Sequence, residues 1–150
     1  MKLTVTTPLA LVVDTADVVH VRAEDESGAF GILRGHADFV TALSVSVLSW
    51  REERGAEHHV AVRGGMLEIR GGGVIAVSTR EAEAGDDLER LESEVLARFR
   101  RQLAEERAAR RDAQRLYLAA IRQICHFLRP GRSQARPSSR IGLAAEDLEP

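Results

Sequence analysis

The sequence predicts an α+β fold, in which an N-terminal antiparallel β-sandwich over residues 1–85 is followed by a C-terminal two-helix hairpin over residues 86–129. Three observations lead to this prediction: short β-branched runs, glycine clusters between those runs, and a change of the apolar period from about two to about three and a half residues after Gly85. The last residues, 130–150, are polar with proline and serine, and we predict a disordered tail there.

Short strands are expected throughout the first 85 residues. Leu3 and Val5 alternate with polar neighbours, and β-branched or aromatic runs follow at residues 9–13, 18–22, 45–50 and 58–63. Gly64-Gly65 and Gly71-Gly72-Gly73 flank the run Met-Leu-Glu-Ile-Arg, so we expect two more short strands linked by glycine turns. Alternation predicts that the inward-facing side chains include Leu3, Val5, Val19, Val21, Leu67, Ile69 and Val77. Because no helical pattern separates the strands, a sandwich or flattened barrel is favoured over a parallel α/β sheet.

Helical periodicity begins after Gly85, with Asp86 or Asp87 placed as the N-cap. The first apolar stripe consists of Leu88, Leu91, Val95, Phe99 and Leu103. The second consists of Ala113, Leu116, Tyr117, Ala120, Ile121, Ile124, Phe127 and Leu128. Between them, residues 105–112 contain neither glycine nor proline, so the chain could fold back with Asp112 as a second N-cap or continue as one helix. We predict the hairpin because folding back lets the sandwich cover both stripes.

The composition limits the class of protein. A chain of 150 residues with 44% apolar content forms one ordinary domain, or a small domain with an appendage. A net charge of −2 gives no general reason to expect nucleic acid or an anionic membrane as partner. The single cysteine, Cys125, excludes an internal disulfide and fits a reducing compartment. With no apolar run near the roughly 18 residues of a membrane span, and no signal-peptide region, we expect a soluble, unexported chain.

Residues for catalysis, metal binding or cofactor binding are not evident. The adjacent pairs His58-His59 and Cys125-His126 lack the spacing of zinc ligands. The glycine clusters are not followed by the Lys-Ser/Thr pair of a phosphate-binding loop, and no serine lies in a Gly-x-Ser-x-Gly context. We therefore predict a non-catalytic protein without cofactor or metal.

The helical region is rich in arginine, at positions 98, 100, 101, 107, 110, 111, 115, 122 and 129. Such a run is either a solvated helix face or an electrostatic interface for an acidic partner. Nucleic acid is disfavoured because acidic residues are interleaved and the nearby aromatic residues lie in the apolar stripes. A protein partner is preferred.

The stretch from Ser27 to Leu43 reads S-G-A-F-G-I-L-R-G-H-A-D-F-V-T-A-L. Glycine at this spacing interrupts helices and permits tight turns between short strands. With an arginine, a histidine and an apolar edge, the composition indicates a docking surface rather than a catalytic centre. For His36 alone, a turn residue bonded to the backbone and a partner contact remain equal alternatives.

Three sequence blocks, in order, resemble the epsilon subunit of F-type ATP synthases over residues 1 to about 128. They are V-V-H-V-R-A-E-D-E-S-G-A-F-G-I-L-R-G-H-A-D-F-V-T-A-L, V-A-V-R-G-G-M-L-E-I-R-G-G-G-V-I-A-V-S-T-R-E-A and, before the helices, G-D-D-L. The resemblance implies a sandwich that clamps the rotating gamma subunit and sits on the c ring. It also implies mobile helices that extend into the catalytic alpha and beta subunits and oppose ATP hydrolysis.

The resemblance assigns two groups of residues. Partner contacts with gamma and the c ring are expected at Ala29, Phe30, Gly31, Ile32, Leu33, Arg34, Gly35 and His36. Regulatory contacts with acidic loops of the beta subunits are expected at Arg107, Arg110, Arg111 and Arg115. It further implies a peripheral location on the cytoplasmic face of the bacterial inner membrane, with membrane contact only through the complex and no nucleic acid bound. The alternative function is a free-standing adaptor or nucleic-acid-binding protein that uses the arginine-rich helices.

Departures from the family pattern fall at the expected contact surface. Arg34 and Asp38 stand where the family usually or often has proline, and Ala29 replaces an acidic residue common beside the c ring. An altered partner surface suits a divergent synthase, such as the alternative, often sodium-linked, bacterial type. The nucleotide motif Leu-Asp-x-x-Arg-Ala corresponds to residues 88–93, where Glu92 replaces the arginine. Since a like charge would face the phosphates, we expect no tight ATP binding.

Overall fold

The computed structural model describes residues 1–128, so the tail predicted for 130–150 lies outside the described residues. Eight strands occupy the N-terminal region. They are β1 (Lys2–Thr6), β2 (Leu11–Thr15), β3 (Val18–Asp25), β4 (Gly28–Leu33), β5 (Phe39–Glu52), β6 (Glu57–Arg70), β7 (Val74–Ser78) and β8 (Ala82–Gly85). The strands follow each other through short turns, as the repeated β-branched runs predict.

The strands hydrogen-bond in the order β2-β1-β7-β6-β5-β3-β4, and β8 pairs with β6. At 14 residues each, β5 and β6 are long enough to run through both layers of a sandwich. Residues 39–43 of β5 pair with residues 65–69 of β6 in the layer that contains β7 and β1. Residues 45–51 of β5 pair with residues 57–63 of β6 in the layer that contains β3, β4 and β8.

The pairing of β1 with β7 differs from the prediction of a purely antiparallel sandwich. These two strands run parallel, with Leu3 opposite Ile75 and Val5 opposite Val77, whereas the other strand pairs are antiparallel. Alternation within a strand specifies which side chains face the core, and it carries no information about the direction of the neighbouring strand.

Gly64-Gly65 bends a strand and does not form the turn that we predicted. β6 continues through both glycines, which have φ values of +65° and +130°. A Cβ atom on Gly65 would clash with the carbonyl oxygen of Ser78, so only glycine permits β7 to approach β6 here. The bend lies where β6 passes from one layer to the other. The predicted turn at Gly71-Gly72-Gly73 is confirmed between β6 and β7.

The sandwich core collects inward-facing residues from both layers. It contains Met1, Leu3, Val5, Val13, Val18, Val21, Ala23, Ile32, Leu43, Leu48, Trp50, Val60, Val62, Leu67, Ile69, Ile75 and Val77. Of the predicted inward residues, Val19 is wrong: it is only half-buried, and Val18 is fully buried instead. The pairing of β3 with β5 shifts register between Val18 and His20, which displaces the alternation by one residue.

The helical region begins at Asp87, whose carboxylate accepts a hydrogen bond of 3.0 Å from the Arg90 backbone N–H. α1 spans Leu88–Arg90, a π-helical turn spans Leu91–Val95, and α2 spans Leu96–Leu128. In the π-helical turn the Leu96 N–H donates to the Leu91 carbonyl oxygen. The wider turn places both Val95 and Leu96 on the buried side.

A second apolar cluster lies on the opposite face of β5 and β6 from the sandwich core. It consists of Ala61, Leu91, Val95, Leu96 and Phe99, with Val45 and Val47 packed against it. Val45, Val47 and Ala61 alternate along their strands with core residues, so each strand is apolar on both faces here. Of the first helical stripe, Leu91, Val95 and Phe99 therefore dock on the sheet, whereas Leu88 is exposed and Leu103 is only partly buried.

The two-helix hairpin predicted for 86–129 is not what the structure contains, because α2 is continuous through residues 105–112. Asp112 lies inside this helix and caps no second one. The segment has strong helix formers and neither glycine nor proline, so a break there would lose helical hydrogen bonds without local compensation. The large apolar residues of the second stripe are exposed: Leu116, Tyr117, Ile121, Ile124, Phe127 and Leu128.

Candidate functional site

The predicted contact segment begins in β4, which among residues 1–128 pairs only with β3 and forms one edge of the sheet. Within it, Ala29, Gly31 and Leu33 face outward, while Phe30 is half-buried against the core. Ile32 is fully buried in the core, contrary to its predicted place on the contact surface. The reason is the period of two, which sends the side chains of Ile32 and Leu33 to opposite sides. Ile32 therefore holds β4 in place, and Leu33 is the exposed apolar residue.

The loop after β4 packs against the turn between β6 and β7. The Gly35 N–H donates to the Gly72 carbonyl oxygen at 2.7 Å, and the Asp38 carboxylate accepts from the Gly71 N–H at 2.7 Å. A Cβ on Gly72 would lie 3.1 Å from the Cα of Gly35, so the missing side chain of Gly72 permits the close approach, whereas Gly35 is favoured by its φ of +86°. The structure thus joins two glycine clusters that lie far apart in sequence. We call residues 33–38 and 71–73 together the loop end.

His36 is oriented by its own loop. Its ring Nδ1 lies 2.8 Å from the Ala37 carbonyl oxygen, and its backbone N–H donates to the Leu33 carbonyl oxygen at 3.1 Å. Its ring also lies 6.0 Å from that of Phe39, which makes an edge contact of 5.9 Å with Phe30. The turn role that was one alternative for His36 is therefore present, and the half-buried ring still borders exposed apolar residues.

An exposed apolar surface on the outer side of the β1-β7-β6-β5 layer was missed by the sequence analysis. Ala42 lies opposite Met66, Met66 opposite Ser78, Ser78 opposite Thr6, and Thr6 opposite Leu11, so these side chains share one face. We call this surface the outer apolar face; it consists of Leu11, Val40, Ala42, Met66 and Val74. The sequence does contain a sign of this face: pairs of consecutive apolar residues, such as Met66-Leu67. In a strand with one face in solvent, one residue of each such pair would normally be polar.

Ion pairs lie within and beside the outer apolar face, because Glu68 pairs with both Val40 and Ala76 in the sheet. Lys2 Nζ lies 3.4 Å from the Asp14 carboxylate, and Arg70 Nε lies 2.6 Å from the Glu68 carboxylate. The hydrogen bond to Glu68 raises the pKa of Arg70 above its usual range. The face therefore combines exposed apolar side chains with charged ones, and protein-binding surfaces contain both.

A cleft of about 390 Å³ lies between the start of the helical region and the outer faces of β3, β5 and β6. Its charged lining consists of Arg22, Glu24, Glu57, Glu92 and Arg100. Glu92, the residue that departs from the nucleotide motif, therefore has two further carboxylates around the same space. Since two arginines also line the cleft, its net charge is only slightly negative, and weak ATP binding stays a prediction that rests on the position of Glu92.

The arginines expected to regulate lie on one side of α2. Four exposed arginines are separated by three, one and four residues along the helix: Arg107, Arg110, Arg111 and Arg115. Arg115 lies 4.0 Å from Asp112, which is a loose contact between two exposed side chains. The helix thus presents a positive surface to solvent.

Within residues 1–128 no three potential ligands among His, Cys, Asp and Glu lie close enough to hold a metal ion. In the same part of the chain, no helix has the length and apolar content needed to cross a lipid bilayer.

Comparisons with known proteins agree with this architecture. Residues 1–85 match the family model of the ATP synthase delta/epsilon chain β-sandwich domain. ATP synthase epsilon chain 2 of Paraburkholderia xenovorans is 40% identical over 90% of this chain and 97% of its own length. ATP synthase epsilon chain 2 of Cereibacter sphaeroides is 41% identical over 85% of this chain and 88% of its own length.

A solved structure is also similar. The Euglena gracilis mitochondrial ATP synthase, determined as OSCP, F1 and c-ring, contains a chain that aligns with a TM-score of 0.53 and 26% identity. The alignment covers 71% of this chain and 62% of that one. Sandwich, helical region and relatives lead to the same assignment, and the chain belongs to the epsilon-subunit family of F-type ATP synthases.

Proposed function

We propose that this epsilon subunit is a non-catalytic part of the central stalk, that it joins gamma to the c ring, and that its C-terminal helix restrains ATP hydrolysis. The observation that carries the proposal is the outer apolar face, which groups several exposed apolar side chains on one side of the sandwich. The loop end and the exposed arginines of α2 supply further contact surfaces of different chemistry.

The two sandwich surfaces suit two different partners. Permanent interfaces are more apolar than transient ones, so we assign the outer apolar face to gamma, which must stay bound during rotation. The loop end exposes Arg34 together with the backbone of two glycine-rich turns, and the edge of β4 exposes Ala29 and Leu33. We assign this more polar surface to the c ring.

The helix supplies the regulatory part of the proposal. Arg107, Arg110, Arg111 and Arg115 would contact acidic loops of the alpha and beta subunits when the end of α2 enters the catalytic head. The exposed large apolar residues of the second stripe would then be covered by those subunits. Through the complex, the chain would lie at the cytoplasmic face of the bacterial inner membrane. Membership of the epsilon family disfavours the alternative of a free-standing adaptor or nucleic-acid-binding protein.

Replacing one apolar contact by a charge tests the gamma assignment. Met66→Glu replaces an exposed apolar side chain of the outer apolar face by a carboxylate, which would be desolvated on binding, so we expect roughly tenfold weaker co-purification with gamma. Ala56→Glu, at the exposed turn between β5 and β6, is the matched control. Both variants should melt near the wild-type temperature. If Met66→Glu retains gamma as well as Ala56→Glu does, the outer apolar face is not the gamma interface.

A further inference from the structure

The contact between the helical region and the sheet changes character along the helix. From Leu91 to Phe99 the buried side chains are apolar. The next positions on the same side are Gln102, Leu103 and Glu106, all partly buried, and the two polar residues among them replace the fully buried apolar contacts made up to Phe99. The docked part of the helix therefore has an apolar segment followed by a polar one.

Glu106 uses both carboxylate oxygens to bind the sandwich. Its Oε1 accepts from Arg63 at 2.8 Å, and its Oε2 accepts from Arg80 at 2.9 Å. The Arg63 side chain is only 14% exposed, and the residue pairs with Val45 of β5 just before the bend at Gly64-Gly65. A carboxylate held between two arginines from different strand regions fixes the helix in position and rotation.

Residues 88–110 are the part of the helical region that forms one compact unit with the sandwich. Within them, Glu106 is the last residue whose side chain forms an ion pair with the sandwich. Earlier in the helix, Arg90 and Arg98 pair with Glu83 at 3.0 and 2.6 Å. Among the described side chains from Arg107 to Arg110, none forms an ion pair with a strand.

The polar segment does not satisfy all of its buried hydrogen-bonding groups. Within the described residues, the buried atoms Arg63 Nε and Gln102 Oε1 have no hydrogen-bond partner, and the carboxylate of Glu81 is 3.6 Å from Arg63 Nε. Loss of the Glu106 carboxylate would leave Arg63 beneath the helix with a further unpaired donor. The polar segment should therefore separate from the sheet before the apolar segment does.

We propose that Glu106, Arg63 and Arg80 form an ionic clamp that sets where the docked part of the helix ends. With the clamp closed, residues 88–106 stay on the sheet and only residues from Arg107 onward are available to a partner. With the clamp open, the boundary moves back to Phe99, while the apolar segment keeps the helix attached. The hinge of the helix thus lies inside α2 and not at the strand-to-helix junction near Asp87.

Hydrogen exchange on the isolated full chain tests the clamp, with Glu106→Gln compared with Glu105→Gln. Glu105 is the exposed neighbour, and no ion pair of its side chain appears among the described residues, so it serves as the matched control. Glu106→Gln should speed exchange of the amides of residues 100–106 by roughly tenfold and leave residues 91–97 unchanged. Salt at about 0.5 M should do the same to the wild type.

Two results would overturn the clamp: equal exchange in the two variants, or loss of protection along the whole of residues 88–106 in Glu106→Gln. Its regulatory meaning rests on the proposed function, and a separate measurement keeps the two apart. If exchange behaves as expected while ATP hydrolysis of the assembled complex is the same with and without α2, the clamp stands and the inhibitory role fails.

Discussion

At the scale of single residues, Asp25 fixes the turn between β3 and β4. Its carboxylate accepts hydrogen bonds from the Ser27 hydroxyl at 2.6 Å, the Ser27 N–H at 2.8 Å and the Thr41 hydroxyl at 2.8 Å. These bonds favour the ionised form, so the pKa of Asp25 is lowered from 3.8, with the Ser27 side chain as the largest cause. One carboxylate thereby ties the start of the predicted contact segment to β5.

This lowered pKa predicts a pH dependence of stability. The unfolded chain takes up the proton at a higher pH than the folded chain, so the stabilisation is complete above 3.8 and disappears as the pH falls through the folded-state pKa. Asp25→Asn should lower the urea midpoint at pH 7. It should also lose less stability than the wild type between pH 5 and pH 3. Asp17→Asn, at an exposed position, is the control and should show neither effect. Identical pH profiles of Asp25→Asn and the wild type would show that these hydrogen bonds do not act on stability.

Neighbouring residues in the strands show how far the sequence predicts the site. The period of two assigned Leu3, Val5, Leu67 and Ile69 to the core correctly. The same rule applied to β4 would have placed Ile32 inside, but the contact segment was taken as a continuous surface. Met66 escaped notice for the opposite reason: a single exposed methionine is unremarkable, and only the cross-strand pairing shows that it belongs to a face with Ala42 and Leu11.

At the scale of elements, features set by neighbouring residues can be predicted from the sequence, whereas features set by tertiary contacts cannot. The N-cap at Asp87 was predictable because a cap is defined by residues within one turn. The bend at Gly64-Gly65 was not, because a glycine pair serves a turn or a close approach equally well, and only the position of Ser78 distinguishes them. The hairpin failed similarly: the apolar stripes show what needs covering, whereas the helix-forming segment 105–112 decides that α2 stays continuous.

The docked part and the exposed part of α2 each contain one phenylalanine, and the two can be compared. Phe99 is fully buried against the sheet, whereas Phe127 is 78% exposed. Phe99→Ala should therefore destabilise the protein by about 3–5 kcal/mol through lost burial and a cavity, and Phe127→Ala by no more than about 0.5 kcal/mol. Chemical denaturation followed by circular dichroism measures both values. A small effect of Phe99→Ala would mean that the first apolar stripe does not hold the helix on the sandwich.

At the scale of the whole molecule, the helical region has two parts with different tasks. Residues 88–106 cover Val45, Val47 and Ala61 and so complete the packing of the sandwich. The four arginines expected to regulate begin directly after Glu106, where ion pairs to the strands end within residues 88–110. A truncation at Gly85 would therefore remove a stabilising element together with the part that we propose is regulatory, whereas a truncation after Glu106 would remove only the latter.

These two truncations test regulation in the assembled synthase. The 1–106 chain should unfold like the intact protein, while the 1–85 chain should lose several kcal/mol because the apolar residues beneath the helix become exposed, at about 1.5–3 kcal/mol for each large side chain. Both should raise ATP hydrolysis relative to the full chain, since both lack Arg107, Arg110, Arg111 and Arg115. In the full chain, replacing Arg110 and Arg111 by Glu should raise hydrolysis partly, and added salt should weaken the wild-type inhibition. If the complex with the 1–106 chain is fully assembled and hydrolyses ATP no faster than the intact one, α2 beyond Glu106 does not restrain the enzyme, whatever the 1–85 chain does.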